Sequence, residues 1–528
     1  MAPDNPVTRA CVHILTFVLG LIAPIAISYL VYYVWTGETA VIHHLLSNST
    51  PACVATHIPL LTSLIHYWLA AEVIFFFNFW NNRRILQRTS PPITTSKAER
   101  TVLFWNCVHT IQDVEEWFCG WFYIDDGNNT RATFDQIRRG NVETWFAWAF
   151  WSRPLEIVKS KRTWSNELAW MVKTAETHFG VHFEDGISPE IKCIRLSLDP
   201  VNAIHRPLIF YIIIYMATMI VNLFLRLQGF QRCNLPYSLS WGGVFGFDPA
   251  MLWKSLWRDQ TDEAMKKVVY WYKPPSPDSN RETPIVFIHG IGGMLFYSDI
   301  IRRLTALDRP MFCVELPYVS MHQVEVVPTT TETITEISEM LDHHGYKKAV
   351  FVSHSLGTAV SSWMMQQAPK RVAGVVMVDP IVFLLHYHSI AYNFVHRSPK
   401  RFMEHIVYYF ASRELHISHY ISRHFQWFQT AHFVQSASTS RPPSPVSKRS
   451  STAAVPLTVF LSESDNLVDS PRIHKYLLDN NVDSRVMPGL EHASFLLKPT
   501  WLRTIVDQVS LICASADLPS DSGYTSCT

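Results

Sequence analysis

The chain has 528 residues, of which 48% are hydrophobic, 13% aromatic and 17% charged, and so much apolar material with so little charge excludes a disordered chain. Forty-five basic residues against 44 acidic ones leave a formal charge of +1, with no excess to displace counterions from a phosphate backbone, which argues against nucleic acid as a partner. Nine cysteines are scattered along the chain without a CxxC pair, so neither a disulfide framework nor a zinc knuckle is expected.

Residues 11–35 contain no Asp, Glu, Lys or Arg. As a helix they reach roughly 37 Å, enough to cross a hydrocarbon core of about 30 Å. The run is longer than the apolar part of a cleaved signal peptide, and Asp4 balances Arg9 where such a leader is basic. A second span is expected over 58–80, where Glu72 is the lone charge and FFFNFW forms an aromatic belt. No Lys or Arg lies in 36–57, whereas Arg83, Arg84, Arg88, Lys97 and Arg100 follow the second span. The positive-inside rule therefore puts the N-terminus and the segment after residue 80 in the cytoplasm. Asn48-Ser49-Thr50 would then be a lumenal glycosylation acceptor, and Asn128-Asn129-Thr130 is a second sequon.

From 95 to 264 a helical module is expected. ERTVLFWNCVHTIQDVEEWF spaces its apolar residues at three and four, NVETWFAWAFWS is dense in Trp and Phe, and Glu115 and Glu116 read as a solvated helix face. Within this region a third uncharged run, 208–225, is barely long enough to span and is flanked by Arg206 and Arg226. A third span and a buried or membrane-dipping helix both fit it. With two spans the remaining chain is cytoplasmic, with three it is lumenal, and in either case the protein is expected to be integral to an endomembrane. The Ser- and Pro-rich stretch 436–454 and the tail 514–528 read as disordered.

The chemistry is expected between 265 and 513. Ile285–Ile288 reads as a strand running into His289-Gly290-Ile291-Gly292-Gly293, where glycines let main-chain N–H groups approach a substrate carbonyl. Neither GxGxxG nor GK[ST] follows, which argues against a nucleotide-binding turn. Next, Ala349–Val352 leads into Ser353-His354-Ser355-Leu356-Gly357, a strand, tight turn and helix start that would project the Ser355 hydroxyl; Ser353 stands in place of the first Gly of G-x-S-x-G. Downstream, the strand Pro456–Leu461 ends in a loop bearing Asp465. The strand Arg485–Met487 then precedes a loop bearing His492, before a final helix over 501–513. A serine hydroxyl needs a base within reach and an anion to hold that base, and Ser355, His492 and Asp465 supply these parts.

HGIGG, SHSLG, SESDNLV and EHASF, in this order, make residues ~265–513 resemble the α/β-hydrolase superfamily. The resemblance implies an α/β fold, a mostly parallel sheet flanked by helices, with a cap inserted after the strand Gly374–Asp379 over about 380–455. It implies Ser355 as nucleophile, His492 as base and Asp465 as orienting acid. The amides of Ile291 and Leu356 would form the oxyanion hole, on a loop shared with His289, Gly290, Gly292 and Gly293. Asp379 is the alternative acid, because some lipases of the superfamily place it after that earlier strand; Asp469 is better placed to start the helix at Ser470-Pro471. A serine at 355 argues against the epoxide hydrolases and haloalkane dehalogenases, which attack with Asp, and Leu497 departs from the H-x-x-x-x-D of acyltransferase relatives. The order of membrane helices, helical module and hydrolase also resembles a group of uncharacterised fungal and algal membrane hydrolases.

The cap is rich in aromatic and aliphatic side chains, which suits an apolar acyl substrate such as a lipid ester. Its His386 and His388, and His416, His419 and His424, have no carboxylate or Cys at ligand spacing, so no metal is expected, and the triad requires no cofactor. The expected function is a membrane-bound, esterase- or lipase-like serine hydrolase. An acyltransferase using the same triad and a non-catalytic membrane scaffold are the alternatives.

Overall fold

The computed structural model describes residues 4–37, 42, 58–127, 130–234, 268–279, 282–434 and 455–518. The asparagines of both sequons, the stretch 436–454 and the tail beyond 518 lie outside the described residues.

Helix α1 (Pro6–Thr36) is opened by Asn5, whose side chain accepts from the Thr8 amide while Thr8 Oγ1 accepts from the Asn5 amide. It is closed by Gly37 in the left-handed conformation. Its C-terminal half packs on the N-terminal half of α2 (Ile58–Ile85) through Ala26, Leu69 and a 3.0 Å hydrogen bond between Tyr29 and His66.

The helical module consists of α3 (Lys97–Val108), α4 (Val114–Cys119), α5 (Arg139–Trp151), α6 (Leu155–Ser160) and α7 (Arg162–Phe179). Phe104, Trp117, Phe118, Trp145, Phe146 and Phe150 fill its core, and a buried Arg100–Glu167 pair joins α3 to α7 through two hydrogen bonds of 2.9 and 2.7 Å. Two features depart from expectation. The strands β1 (Phe122–Ile124) and β2 (Ile191–Cys193) pair antiparallel, each too short to announce itself by alternation. Glu116 is not merely a solvated residue, since it pairs with Arg472 of the next domain at 2.8 Å.

The third apolar run forms α8 (Leu208–Leu227). The Glu72 carboxylate accepts from the Leu208 and Ile209 amides at 2.7 and 3.1 Å, satisfying donors that a helix start leaves open. Tyr211 donates to Glu414 in the cap at 2.8 Å, Tyr215 donates to the His322 carbonyl at 2.9 Å, and Val221 and Leu225 join the core around Trp271 and Met294. By length and composition α1, α2 and α8 can each cross a membrane.

The C-terminal half is built on an eight-stranded sheet ordered β10-β9-β8-β7-β5-β6-β4-β3. Here β3 is Gln231–Cys233, β4 Tyr270–Lys273, β5 Ile285–Ile288, β6 Met311–Val314, β7 Ala349–His354, β8 Val372–Val378, β9 Leu457–Ser462 and β10 Asp483–Met487. Strands β5 to β10 pair in parallel, and β4 and β3 complete one edge antiparallel. The continuous apolar runs of β5, β6 and β7 follow from burial on both faces. Helices α9 (Ser298–Thr305) and α13 (Pro499–Asp517) cover one face with α8, and α10 (Thr330–His343), α11 (Gly357–Gln367) and α12 (Ser470–Asp479) cover the other.

Two boundaries need correction. The sheet begins with β3, before residue 265, because a three-residue edge strand leaves no pattern. The last helix runs to Asp517 instead of 513, since Asp517 accepts from Thr283 and pairs with Arg309 at 2.8 Å, which ties its final turn to the domain.

After β8 the cap, described over 380–434, folds as short helices that include Phe402–Val407 and Leu415–His419. The indoles of Trp117 and Trp121 both donate to the His386 carbonyl, at 2.9 and 3.1 Å. The Arg423 guanidinium donates to the carbonyls of Gln87, Arg88 and Asp199, and Asp4 accepts from the Phe402 amide. The cap is thus clamped between α1, the end of α2 and the helical module.

Candidate active site

Strand β5 has β6 on one side and β7 on the other, so the chain reverses its winding there, and the carboxyl ends of β5 and β7 flank the crevice where open α/β sheets bind ligands. Ser355 follows β7 with φ of +51°, a left-handed conformation strained for a residue with a Cβ. The turn is held by the Ser355 amide donating to the Val378 carbonyl at 3.0 Å and by Thr358 Oγ1 donating to the Ser355 carbonyl at 2.6 Å. A Cβ on Gly357 would stand 2.6 Å from the carbonyl oxygens of Ile288 and His289, so the position demands glycine. Ser353 is accommodated because its buried hydroxyl accepts from Ser361 in α11 at 2.8 Å.

Ser355, His492 and Asp465 come together. Ser355 Oγ donates to His492 Nε2 at 2.9 Å, and His492 Nδ1 donates to Asp465 Oδ2 at 2.7 Å. Asp465 Oδ1 accepts from the amides of Leu467 and Val468, at 2.7 and 3.1 Å, which fixes the carboxylate. Burial pushes the imidazole toward its neutral form, but the charge and hydrogen bond of Asp465, with the charge of Asp379, outweigh it and raise His492 to about 9.

Asp379 sits beside this group without hydrogen-bonding to His492. Its Oδ1 accepts from the Ser462 amide at 2.7 Å, and its Oδ2 accepts from Ser462 Oγ and the Ala493 amide at 3.0 Å each. It therefore ties the end of β9 to the loop that carries His492; burial, then the charge of Asp465, raises its pKa. Ser355, Asp379 and Ala493 all have positive φ, so backbone strain gathers in the turns around the site. Asp469 caps α12, accepting from the Arg472 amide at 3.2 Å.

On the other side of Ser355 the main chain after β5 comes very close, and a Cβ on Gly290 would lie 3.0 Å from that of Ser355. The Ile291 and Leu356 amides have no acceptor among the described residues, while the Gly292 amide donates to the Val319 carbonyl at 2.9 Å, and Gly292 and Gly293 have positive φ. Two free amides flanking the serine can receive a developing oxyanion. His289 shapes the loop: its Nε2 accepts from the Leu316 amide at 2.9 Å, leaving Nδ1 to donate to the Gly290 carbonyl at 2.6 Å.

Two residues that sequence reasoning missed link these turns. The Tyr297 hydroxyl accepts from the Gly290 amide at 2.9 Å and donates to His354 Nδ1 at 2.7 Å. His354 then carries its proton on Nε2, which lies 3.9 Å from Asp379 Oδ2. Burial, with His492 nearby, keeps His354 neutral. A hydrogen-bonded chain thus runs from the Gly290 amide through Tyr297 to His354, whose Nε2 has no hydrogen-bond partner among the described residues, while Asp379 is tied separately to Ala493. No spacing in the sequence marks Tyr297.

Among the described residues the one group of three His, Cys, Asp or Glu placed to hold a metal is Asp379, Asp465 and His492, with ligand atoms within 4.8 Å of one another. Both His492 nitrogens and both Asp379 oxygens are already engaged in the bonds above, an arrangement suited to moving a proton. In the cap, His386 meets Thr110 Oγ1 at 3.0 Å, His388 meets Arg131 at 2.9 Å, and His419 packs edge-on against His424. Burial pushes His386, His388 and His419 down to about 3, so they are neutral packing groups.

A family model described as alpha/beta hydrolase fold matches residues 283–498. No curated protein matches the chain. Similar solved structures include a carboxylesterase from the thaumarchaeon Nitrososphaera gargenis, at 17% identity over 47% of this chain and 96% of that one, with a TM-score of 0.33. An α/β hydrolase from the metagenome of sediments of the Mar Chica lagoon, Morocco, is 16% identical over 46% and 94%, with a TM-score of 0.31. Naproxen esterase from Bacillus subtilis is 12% identical over 46% and 86%, with a TM-score of 0.31. The sheet, the elbow after β7 and the family match together identify the C-terminal half of the chain as an α/β-hydrolase fold.

Proposed function

We propose that the protein is a membrane-bound serine hydrolase that cleaves an acyl ester, a lipid ester in particular. The observation that carries this reading is the unbroken hydrogen-bond path from Ser355 through His492 to Asp465. Ser355 Oγ attacks the acyl carbonyl carbon while His492 Nε2 takes the hydroxyl proton. The imidazolium is stabilised by Asp465, and the oxyanion accepts from the Ile291 and Leu356 amides. Collapse of the adduct breaks the ester C–O bond, His492 returns the proton to the leaving alcohol, and the acyl group stays on Ser355. Water, deprotonated by His492, then attacks the acyl carbon, the Ser355 Oγ–C bond breaks to release the carboxylic acid, and His492 returns the proton to Ser355 Oγ. The residues supply every proton transfer without a cofactor.

Three long apolar helices and the apolar cap favour a substrate that partitions into membranes. The test is turnover of dissolved and lipid esters by purified wild type and Ser355→Ala, with a loss of about 10⁶ expected for removal of such a nucleophile. Equal turnover by the two proteins would refute the assignment.

A further inference from the structure

Helix α8 carries a single charge, Arg226, in twenty residues. One side of it is fixed to the protein by Tyr211, Tyr215, Val221 and Leu225. On the opposite side Ile213, Met216, Ile220, Leu223 and Leu227, spaced by threes and fours, are 53–77% exposed. A helix apolar on every side belongs in a core or in lipid, and a continuous exposed stripe of this kind marks an interaction face.

The stripe runs on toward the two loops that flank Ser355. Phe224 of α8, Leu295 and Leu496 border one core cluster that holds Val221, Leu225 and Met294. The next residues outward are Phe296 and Leu497, which are 68% and 60% exposed. The Phe296 ring lies over Gly292, where a Cβ would stand 3.6 Å from it, one residue from the Ile291 amide. Leu497 ends the short turn Ser494–Leu497 that follows His492. Each loop therefore exposes a large apolar side chain next to a residue packed on the cluster that α8 joins. The surface is also continuous with the candidate spans: Glu72, which caps the first turn of α8, is midway along α2, and α1 and α2 expose Phe17, Leu21, Leu64 and Phe77 in the same manner.

We propose that the mouth of the Ser355 site opens into the bilayer, with the outward face of α8, Phe296 and Leu497 forming a rim immersed among lipid acyl chains, so that the ester is drawn directly from the membrane. The proposal rests on the reading of α1 and α2 as spans and of Ser355 as nucleophile, and it adds the route and the source of the substrate.

The full-length protein, carrying a benzophenone amino acid at one position at a time, is placed in phosphatidylcholine vesicles whose acyl chains bear an alkyne tag. Irradiation is expected to give lipid adducts at positions 220, 296 and 497 in yields comparable to position 17 on α1. Leu478 and Leu511, exposed apolar residues near the far ends of α12 and α13, are expected to give at least tenfold less. Adducts at 17 without adducts at 220, 296 and 497 overturn the rim, and absence of adducts at 17 overturns its membrane premise. In a second arm, Ile220→Ser combined with Leu223→Ser lowers the rate on a long-chain ester in vesicles at least tenfold relative to the rate on a dissolved short-chain ester. An unchanged ratio overturns the proposal, while continued Ser355-dependent hydrolysis of the dissolved ester leaves the catalytic reading standing.

Discussion

Replacing Asp379 by asparagine removes its charge while keeping its shape, and the consequence follows from its three hydrogen bonds. The carboxylate accepts from Ser462 N, Ser462 Oγ and Ala493 N, fully buried. An asparagine retains one acceptor oxygen, so whichever way it turns, its NH₂ faces a buried main-chain N–H. A hydrogen bond to a charged group contributes about 1.5–3 kcal/mol, and a buried donor left unpaired costs about 1–3 kcal/mol; as overlapping effects they amount to roughly 2–4 kcal/mol of stability. The His492–Asp465 bond at 2.7 Å is untouched, so turnover by the folded variant is expected to fall less than tenfold. Asp465→Asn has the opposite profile: its amide faces His492 Nδ1–H, the imidazole loses its tautomer, and turnover falls by about 10⁴, as in other such triads. Unfolding in detergent micelles, and turnover of a dissolved p-nitrophenyl ester well below each unfolding midpoint, separate the two. If folded Asp379→Asn lost activity as deeply as Asp465→Asn, Asp379 would be part of the catalytic acid and this division of roles would be wrong.

Three further outcomes are expected. Gly357→Ala forces a Cβ to 2.6 Å from two carbonyl oxygens, an overpacking expected to cost about 1–3 kcal/mol; an unfolding midpoint equal to wild type would contradict the geometry of the elbow. Tyr297→Phe removes both bonds that join Gly290 to His354, and a loss of roughly 1 kcal/mol in holding the oxyanion loop lowers kcat several-fold with KM little changed; a rise in KM at constant kcat would place Tyr297 in substrate binding instead. His492 must be neutral to accept a proton and is raised to about 9 by Asp465 and Asp379 against the effect of burial, so turnover rises with pH through a midpoint above that of an ordinary imidazole. Loss of a negative charge in Asp379→Asn destabilises the imidazolium and moves this limb to lower pH, and a shift to higher pH in the measured rate profile would refute the electrostatic account.

The fold class was legible because β5 and the first four residues of β7 are uninterrupted apolar runs, and β9 is apolar from Val459 to Leu461, each strand ending in a loop with recognisable punctuation. The elbow was legible for the same local reason: the small residues Ser353 and Gly357 bracket Ser355, although the role of Ser361 in holding Ser353 was not. Distant pairings left no trace. Strand β3 is three residues long and is recruited by β4 across a long sequence gap; the last turn of α13 is kept by Thr283 and Arg309; and Tyr297 meets His354 only because β5 and β7 are neighbours in the sheet. The two acids illustrate the limit well. Both stand near the carboxyl ends of strands, and only the direction of the His492 ring, toward Asp465, distinguishes them.

The central claim is that Ser355 is an activated nucleophile, and labelling with a fluorophosphonate, which traps such serines, tests it most directly. In native membranes the wild type is expected to form a covalent adduct that maps to Ser355, and Ser355→Ala is expected to form none. A folded wild type that stays unlabelled beside a hydrolase that reacts, or a Ser355→Ala variant that labels as wild type does, would contradict the account.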